Sequence, residues 1–221
     1  MDKRRLAAIG AGGALALAVG AVAWTQTRPD QPPIPSEITV APSRADLAAL
    51  ARARQDPPAA RLRDGLAKDT ATRSLLARAA ASSVPVLAPP DTALLGTARI
   101  FTGDRHYMLV VQREDQIIEI YGTTRAFQSP VAHPRTPPGA VAPPTTARIA
   151  PGGAAIARAR AQGLENVRTE RTEYGVDVTF NRFGAAYNVS FICESQGASG
   201  CSEADAIAFA AGLQLLGGGP Q

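Results

Sequence analysis

Histidine and cysteine are scarce, with two of each in 221 residues, and this scarcity excludes most of the chemistry that a sequence can announce. No cysteine and histidine cluster has zinc-ligand spacing, and no nucleophile stands with its base in a known motif. The Gly-rich stretches lack the strand, helix and lysine context of a phosphate cradle. His133 lies among prolines, where no scaffold fixes it. His106, beside Asp104 and Arg105 at a strand start, is the one histidine placed to act as a general base, against the plainer reading of a solvated turn residue. The sequence therefore names no catalytic residue, no metal ligand and no cofactor.

Lysine is nearly missing: Lys3 and Lys68 are the only two, and the other basic residues are arginines. Lys3, Arg4 and Arg5 less Asp2 supply +2 of the formal +4, leaving +2 scattered among acids on the rest of the chain. That is too little for the electrostatic footprint of a nucleic-acid binder. Arginine with abundant alanine, glycine and proline reads as the composition of a GC-rich genome. Aromatic residues make up only 5% of the chain. Tyr121, Phe127, Tyr174, Phe180, Phe183, Tyr187 and Phe191 are therefore expected mainly in the core, where they bury most area.

There is only one long apolar run. It extends from Leu6 to Trp24 behind the basic start Met1-Asp2-Lys3-Arg4-Arg5. A basic start before such a run is a membrane-targeting segment, and the positive charges stay on the cytoplasmic side, so the remainder is expected to face outward. At about 19 residues the run is long enough to span a bilayer, though glycine and alanine dilute it. Ala21-Val22-Ala23 offers a small-x-small cleavage pattern. Residues 1–24 are thus a signal peptide or a signal anchor, with both readings open. Arg4-Arg5 lacks the flanks of a twin-arginine signal and reads as an ordinary basic start.

Cys193 and Cys201 fall eight positions apart with Gly197 and Gly200 between them. In an exported chain an even count at turn-forming spacing predicts a structural disulfide. A metal site would want further ligands, and a catalytic thiol would want a base.

The organisation follows from proline. Residues 25–43 form a Pro-rich linker, and residues 44–221 an exported domain interrupted by a second Pro-rich stretch at 129–153. Ser43 with Asp46 caps a first helix that Asp56-Pro57-Pro58 ends. A second helix is expected over 59–81, weakest at Asp69-Thr70-Ala71-Thr72. Strands are expected from Leu95 to Thr102, His106 to Arg113 and Gln116 to Thr123, and a hairpin runs from Tyr174 to Cys193 through Asn181-Arg182-Phe183-Gly184. Ser202 with Asp205 caps a last helix over Glu203 to Leu216. The fold class is α+β: an antiparallel sheet of about five or six strands, a carboxyl-terminal helix packed on it and one or two preceding helices.

Two polar groupings merit placement in space. Glu119 and Asp177 lie on polar strand faces and would make a glycosidase-like pair only at about 5 to 9 Å. Arg113, Arg125, Arg171 and Arg182 near strand ends would bind an anion only if they converged. The expectation is a non-enzymatic, periplasm-facing envelope protein that works by protein–protein contact. It would be tethered to the inner membrane through residues 6–24 if these are retained, with an envelope protein as partner and no nucleic acid. A periplasmic binding module for a small or lipidic ligand is the alternative, and a hydrolase comes last. An exposed apolar patch or open sheet edge favours the first, a deep lined cavity the second, and His106 bonded to an acid in a cleft the third.

Overall fold

The computed structural model describes residues 36–113, 115–128, 153–193 and 200–220. Contacts divide the chain into residues 1–34 and 35–221, and every described residue belongs to the second unit. The expected targeting segment 1–24, residues 25–35 of the expected linker and residues 129–152 of the expected insertion, with His133, lie outside the described residues.

The helical layer begins where the capping signals place it. Strand β1 (Ser36–Thr39) leads to α1 (Arg44–Gln55), whose Ser43 and Asp46 form a reciprocal capping box. Asp56 ends α1, but the two prolines behind it do not remain loop. They occupy the first positions of α2 (Pro57–Ala67), where the missing N–H is no loss. The helix expected over 59–81 is therefore two helices, broken at Lys68-Asp69. Asp69 turns extended and its side chain accepts from the Thr72 N–H to cap α3 (Thr70–Ala81). The short β2 (Val86–Ala88) is wholly buried. Asp91 then caps a helical turn, α4 (Thr92–Leu95), so the expected strand from Leu95 starts only at Arg99.

The main sheet is built from two three-stranded meanders. The first is β3 (Arg99–Thr102), β4 (His106–Gln112) and β5 (Gln116–Thr123). The second is β7 (Glu165–Arg171), β8 (Gly175–Arg182) and β9 (Ala185–Cys193). They join where β5 pairs with β9, giving the antiparallel order β3-β4-β5-β9-β8-β7. The hairpin turn is Phe183-Gly184, both at positive φ (54° and 71°), as a two-residue connection requires. Strand β7 was not legible in sequence: Glu165-Asn166-Val167-Arg168-Thr169-Glu170-Arg171 is charged on both sides, and a register shift follows Glu165. Two smaller ribbons complete the fold, β1 with β6 (Arg125–Gln128) and β2 with β10 (Gln214–Gly217).

One face of the sheet carries the core. Tyr107, Leu109, Val111, Ile118, Ile120, Val176, Val178, Phe180, Tyr187, Val189 and Phe191 are all buried there. The β2–β10 ribbon, α5 (Gly153–Ala161) and α6 (Glu203–Gly212) pack with the earlier helices around this core. The phenol of Tyr187 donates to the Pro85 carbonyl at 2.9 Å, and that of Tyr107 accepts from the Leu87 N–H at 2.9 Å. These bonds fix β2 against the sheet. Gly122 lies between the two rings, and a Cβ there would collide with both.

The last helix is shorter than its apolar run. Helix α6 stops at Gly212, Leu213 turns extended, and Leu215 and Leu216 are buried in strand β10 instead. A strand covered on both sides needs no alternation, so Leu213 to Leu216 reads the same as a buried helix end. Cys193, ending β9, is bonded to Cys201, one residue before the Ser202 cap of α6, with Cα atoms 6.6 Å apart. The disulfide joins that helix to the sheet.

Candidate functional site

Side chains on a strand alternate between faces, and among the described residues no helix lies on the second face of this sheet. Strand registers assemble it row by row. Phe101, Met108, Tyr121, Asn188, Thr179 and Arg168 stand in one cross-strand row. Arg99, Val110, Glu119, Ser190, Asp177 and Glu170 form the next. Gln112, Ile117, Ile192 and Gly175 form a third. The apolar members gather on the first meander and its neighbour β9: Phe101 is 56% exposed, Ile117 and Ile192 are 38% exposed, and Met108, Val110 and Tyr121 are half-buried. Such an apolar patch beside polar residues marks an interaction surface more often than scattered exposed leucines do.

Glu119 lies within that patch, between Ile117 and Tyr121 along its strand and beside Val110 across it. Among the described residues the ion pairs are Arg125–Glu37 at 3.2 Å and Arg171–Glu203 at 3.0 Å, so Glu119, Asp177 and Glu170 have no cationic partner. Asn188 donates to the Ser190 hydroxyl at 3.0 Å and leaves its own Oδ1 without a donor.

The edges of the sheet are guarded where the face is not. The β3 carbonyl of Ile100 accepts from Arg78 of α3 at 3.3 Å. Strand β7 presents Arg168, Glu170 and Arg171 and the irregularity after Glu165. Short, bonded, charged or bulged edges resist strand addition.

The other sequence candidates are placed differently. Glu119 and Asp177 both pair with Ser190, from opposite sides. They are thus on one face but two strand spacings apart, about 9.5 Å between backbones. No described cavity is lined by either carboxylate. His106 stacks on Tyr121 with centroids 6.0 Å apart and rests on the backbone of Gly103. Its ring makes no hydrogen bond to Asp104 or to any described carboxylate, although Asp104, Arg105 and His106 share the rim of a 380 Å³ groove with the Arg125–Glu37 pair.

The arginines do not converge. Arg125 and Arg171 are in separate ion pairs, Arg113 lines a groove beside Gln112, and Arg182 donates to the Leu213 carbonyl at 3.1 Å. Burial lowers the pKa of Arg182, while Tyr187 and then Asp56 counter that effect, and its guanidinium lies 4.7 Å from the Phe183 ring centre. Arg54, Arg63, Arg73, Arg78 and Arg158 likewise donate to backbone carbonyls. Many arginines of this chain thus fasten its own backbone.

The expectation that the aromatics are mainly core holds for Phe180, Phe183, Tyr187 and Phe191. It fails for Phe127 and Tyr174, which are 70% and 65% exposed. Phe127 lies on a two-stranded ribbon, and Tyr174 precedes β8 in its turn rather than starting the inward alternation. Phe101, Met108, Ile117 and Ile192 were not singled out beforehand. Their signal was present: β4 and β5 are apolar at outward as well as inward positions, where a sheet with one wet face alternates.

A groove of about 630 Å³ is lined by Ala45, Ala49 and Ala53 of α1, by Gly163, and by Arg182 and Phe183. Among the described residues no group of three or more His, Cys, Asp or Glu could hold a metal, and no helix is long and apolar enough to cross a membrane. No family model, curated protein or solved structure matches the chain.

Proposed function

We propose that this is a non-enzymatic cell-envelope protein that works by docking another protein on the uncovered face of its six-stranded sheet. The observation carrying this reading is the patch of Phe101, Ile117 and Ile192, left exposed on strands whose other side is fully packed. The guarded edges direct a partner to the face rather than to strand addition. The leader, retained or cleaved, puts the folded unit in the periplasm, and the Cys193–Cys201 bond suits an oxidising compartment.

The test is photocrosslinking in cells producing the full chain, with p-benzoylphenylalanine in place of Phe101 or, as control, in place of Leu47 on the helical layer. A reproducible protein adduct from position 101 alone is expected. Adducts from neither position, or equally from both, overturn the proposal. Protease accessibility in spheroplasts tests the compartment separately.

A second reading rests on the 630 Å³ groove: a small acid seated along the alanines of α1 with its carboxylate on Arg182. The groove also carries Asp46, Asp56 and Glu165, which oppose an anion. The face is the better-supported site.

A further inference from the structure

We infer that the partner meets the open face through an amphipathic helix bearing lysine or arginine, and that Glu119 receives one of these cations within the apolar patch. The inference rests on the docking role of the face proposed above and names the chemistry of its partner.

Three observations select this occupant. First, Glu119 is flanked on its face by Val110, Ile117 and Tyr121, with Ser190 on its β9 side, is half-buried, and has no cationic partner among the described residues. A cover that completed the apolar burial without supplying a positive charge would strand that carboxylate in a dry interface at a cost larger than the apolar gain. Second, the acids continue along the same row to Asp177 and Glu170, whereas the cations of the three rows, Arg99 and Arg168, stand on the two outermost strands, and Arg105 and Arg125 in the groove past Tyr121 lie with Asp104 and Glu37, the latter already paired with Arg125. The central field is negative, so a cationic partner is steered to it and an acidic one repelled. Third, a second copy of this chain is the wrong cover. The central strands of the sheet are β5 and β9: a two-fold axis along the row of Glu119, Ser190 and Asp177 would set the carboxylates against their own copies, and one along the strands between β5 and β9 would set Glu119 against Ser190, so neither supplies a cation. A helix is the natural layer on a sheet face, because it satisfies its own backbone and needs nothing from the paired strands beneath.

The experiment repeats the photocrosslink from position 101 in the full chain, in otherwise wild-type protein and in the variants Glu119→Lys, Asp177→Lys and Glu119→Gln, with the adduct site mapped by mass spectrometry. Denaturation midpoints verify that each variant folds. The adduct is expected on a helical segment with lysine or arginine beside an apolar stripe. Its yield should drop at least tenfold in Glu119→Lys and severalfold in Glu119→Gln, and return when a partner cation within the mapped segment is changed to glutamate in the Glu119→Lys background. A protein adduct whose yield ignores all three variants, or whose mapped segment has no cation, overturns this inference and leaves the docking role standing. An adduct to a phospholipid or to a second copy overturns the inference as well. Absence of any adduct from position 101 overturns the docking role itself.

Discussion

The same strands build both faces of the six-stranded sheet, but the two faces obey different rules. On the covered face Leu109, Val111, Ile118, Ile120, Val178 and Val189 are apolar and buried, and the phenols of Tyr107 and Tyr187 have backbone partners at 2.9 Å. On the open face, one residue away along each strand, isoleucine and phenylalanine stand beside glutamate, aspartate and serine, and the carboxylates have no cations. Burial selects for completeness: an unpaired polar atom inside costs far more than a methyl group outside. A face can keep exposed apolar surface and unpaired charge together only where the folded unit itself does not require it to be finished. The contrast identifies the open face as the part of the fold whose composition its own stability does not explain.

The sharpest break of this comparison is truncation on either side of one strand. Leu109→Ala or Ile120→Ala on the covered face is expected to cost about 2 to 5 kcal/mol in urea unfolding. Ile117→Ala, on the same strand as Ile120, should cost less than about 1 kcal/mol. Equal losses at Ile117 and Ile120 would mean that the open face is covered in the free protein.

Next comes the bond that anchors α6 to the covered face. The double variant Cys193→Ser with Cys201→Ser is expected to lose about 2 to 3 kcal/mol, the loop-closure contribution of so short a ring. Reduction of the wild type by dithiothreitol should lower the denaturation midpoint equally.

A smaller effect separates the tyrosines by face. Tyr187→Phe removes the bond to Pro85 and should cost about 1 kcal/mol. Burial raises the pKa of Tyr107 and Tyr187 above the ordinary phenol value. A group whose folded pKa is raised keeps its contribution below the unfolded value, near 10, and loses it as pH climbs from there toward the folded value. Stability should therefore fall above about pH 10, and the fall should be shallower in Tyr187→Phe. A pH profile equally steep in wild type and variant would count against burial of this phenol.

The smallest effect is expected on the open face itself. Glu119→Gln should change stability by no more than about 0.5 kcal/mol, because the carboxylate has no partner to lose. A loss above about 2 kcal/mol would reveal an intramolecular partner and remove the basis for an intermolecular one.

Much of the fold was legible where a local signal is strong. The Ser43–Asp46 and Ser202–Asp205 caps, the limits of β5, the alternation of β8 and β9 and the pairing of Cys193 with Cys201 all appear as read. The failures share a cause. Strand β7 is charged on both sides because an edge strand needs only one neighbour. Strand β10 shows no alternation because its adjacent Leu215 and Leu216 are both buried, and β1 and β6 are too short to show a period. Pro57 and Pro58 misled for another reason, since a proline that stops one helix is also suited to the first turn of another.

The candidate site was half legible. Glu119 and Asp177 stand out in the sequence as strand carboxylates, but only the shared register with Ser190 puts them on one face at two strand spacings. The sequence offers His106 as a candidate base or a solvated turn residue, and its ring is stacked on Tyr121 and seated on Gly103.

From its own order of residues the chain determined where helices begin, where hairpins turn, which strand side chains share a face and which two sulfurs can meet, because caps, turns and alternation act over a few neighbours. Which of the two sheet faces would be covered was decided only by tertiary structure. Both sides of β4 and β5 are apolar enough to be buried, and the choice depended on where helices distant in sequence, and a ribbon built from residues 86–88 and 214–217, could pack together.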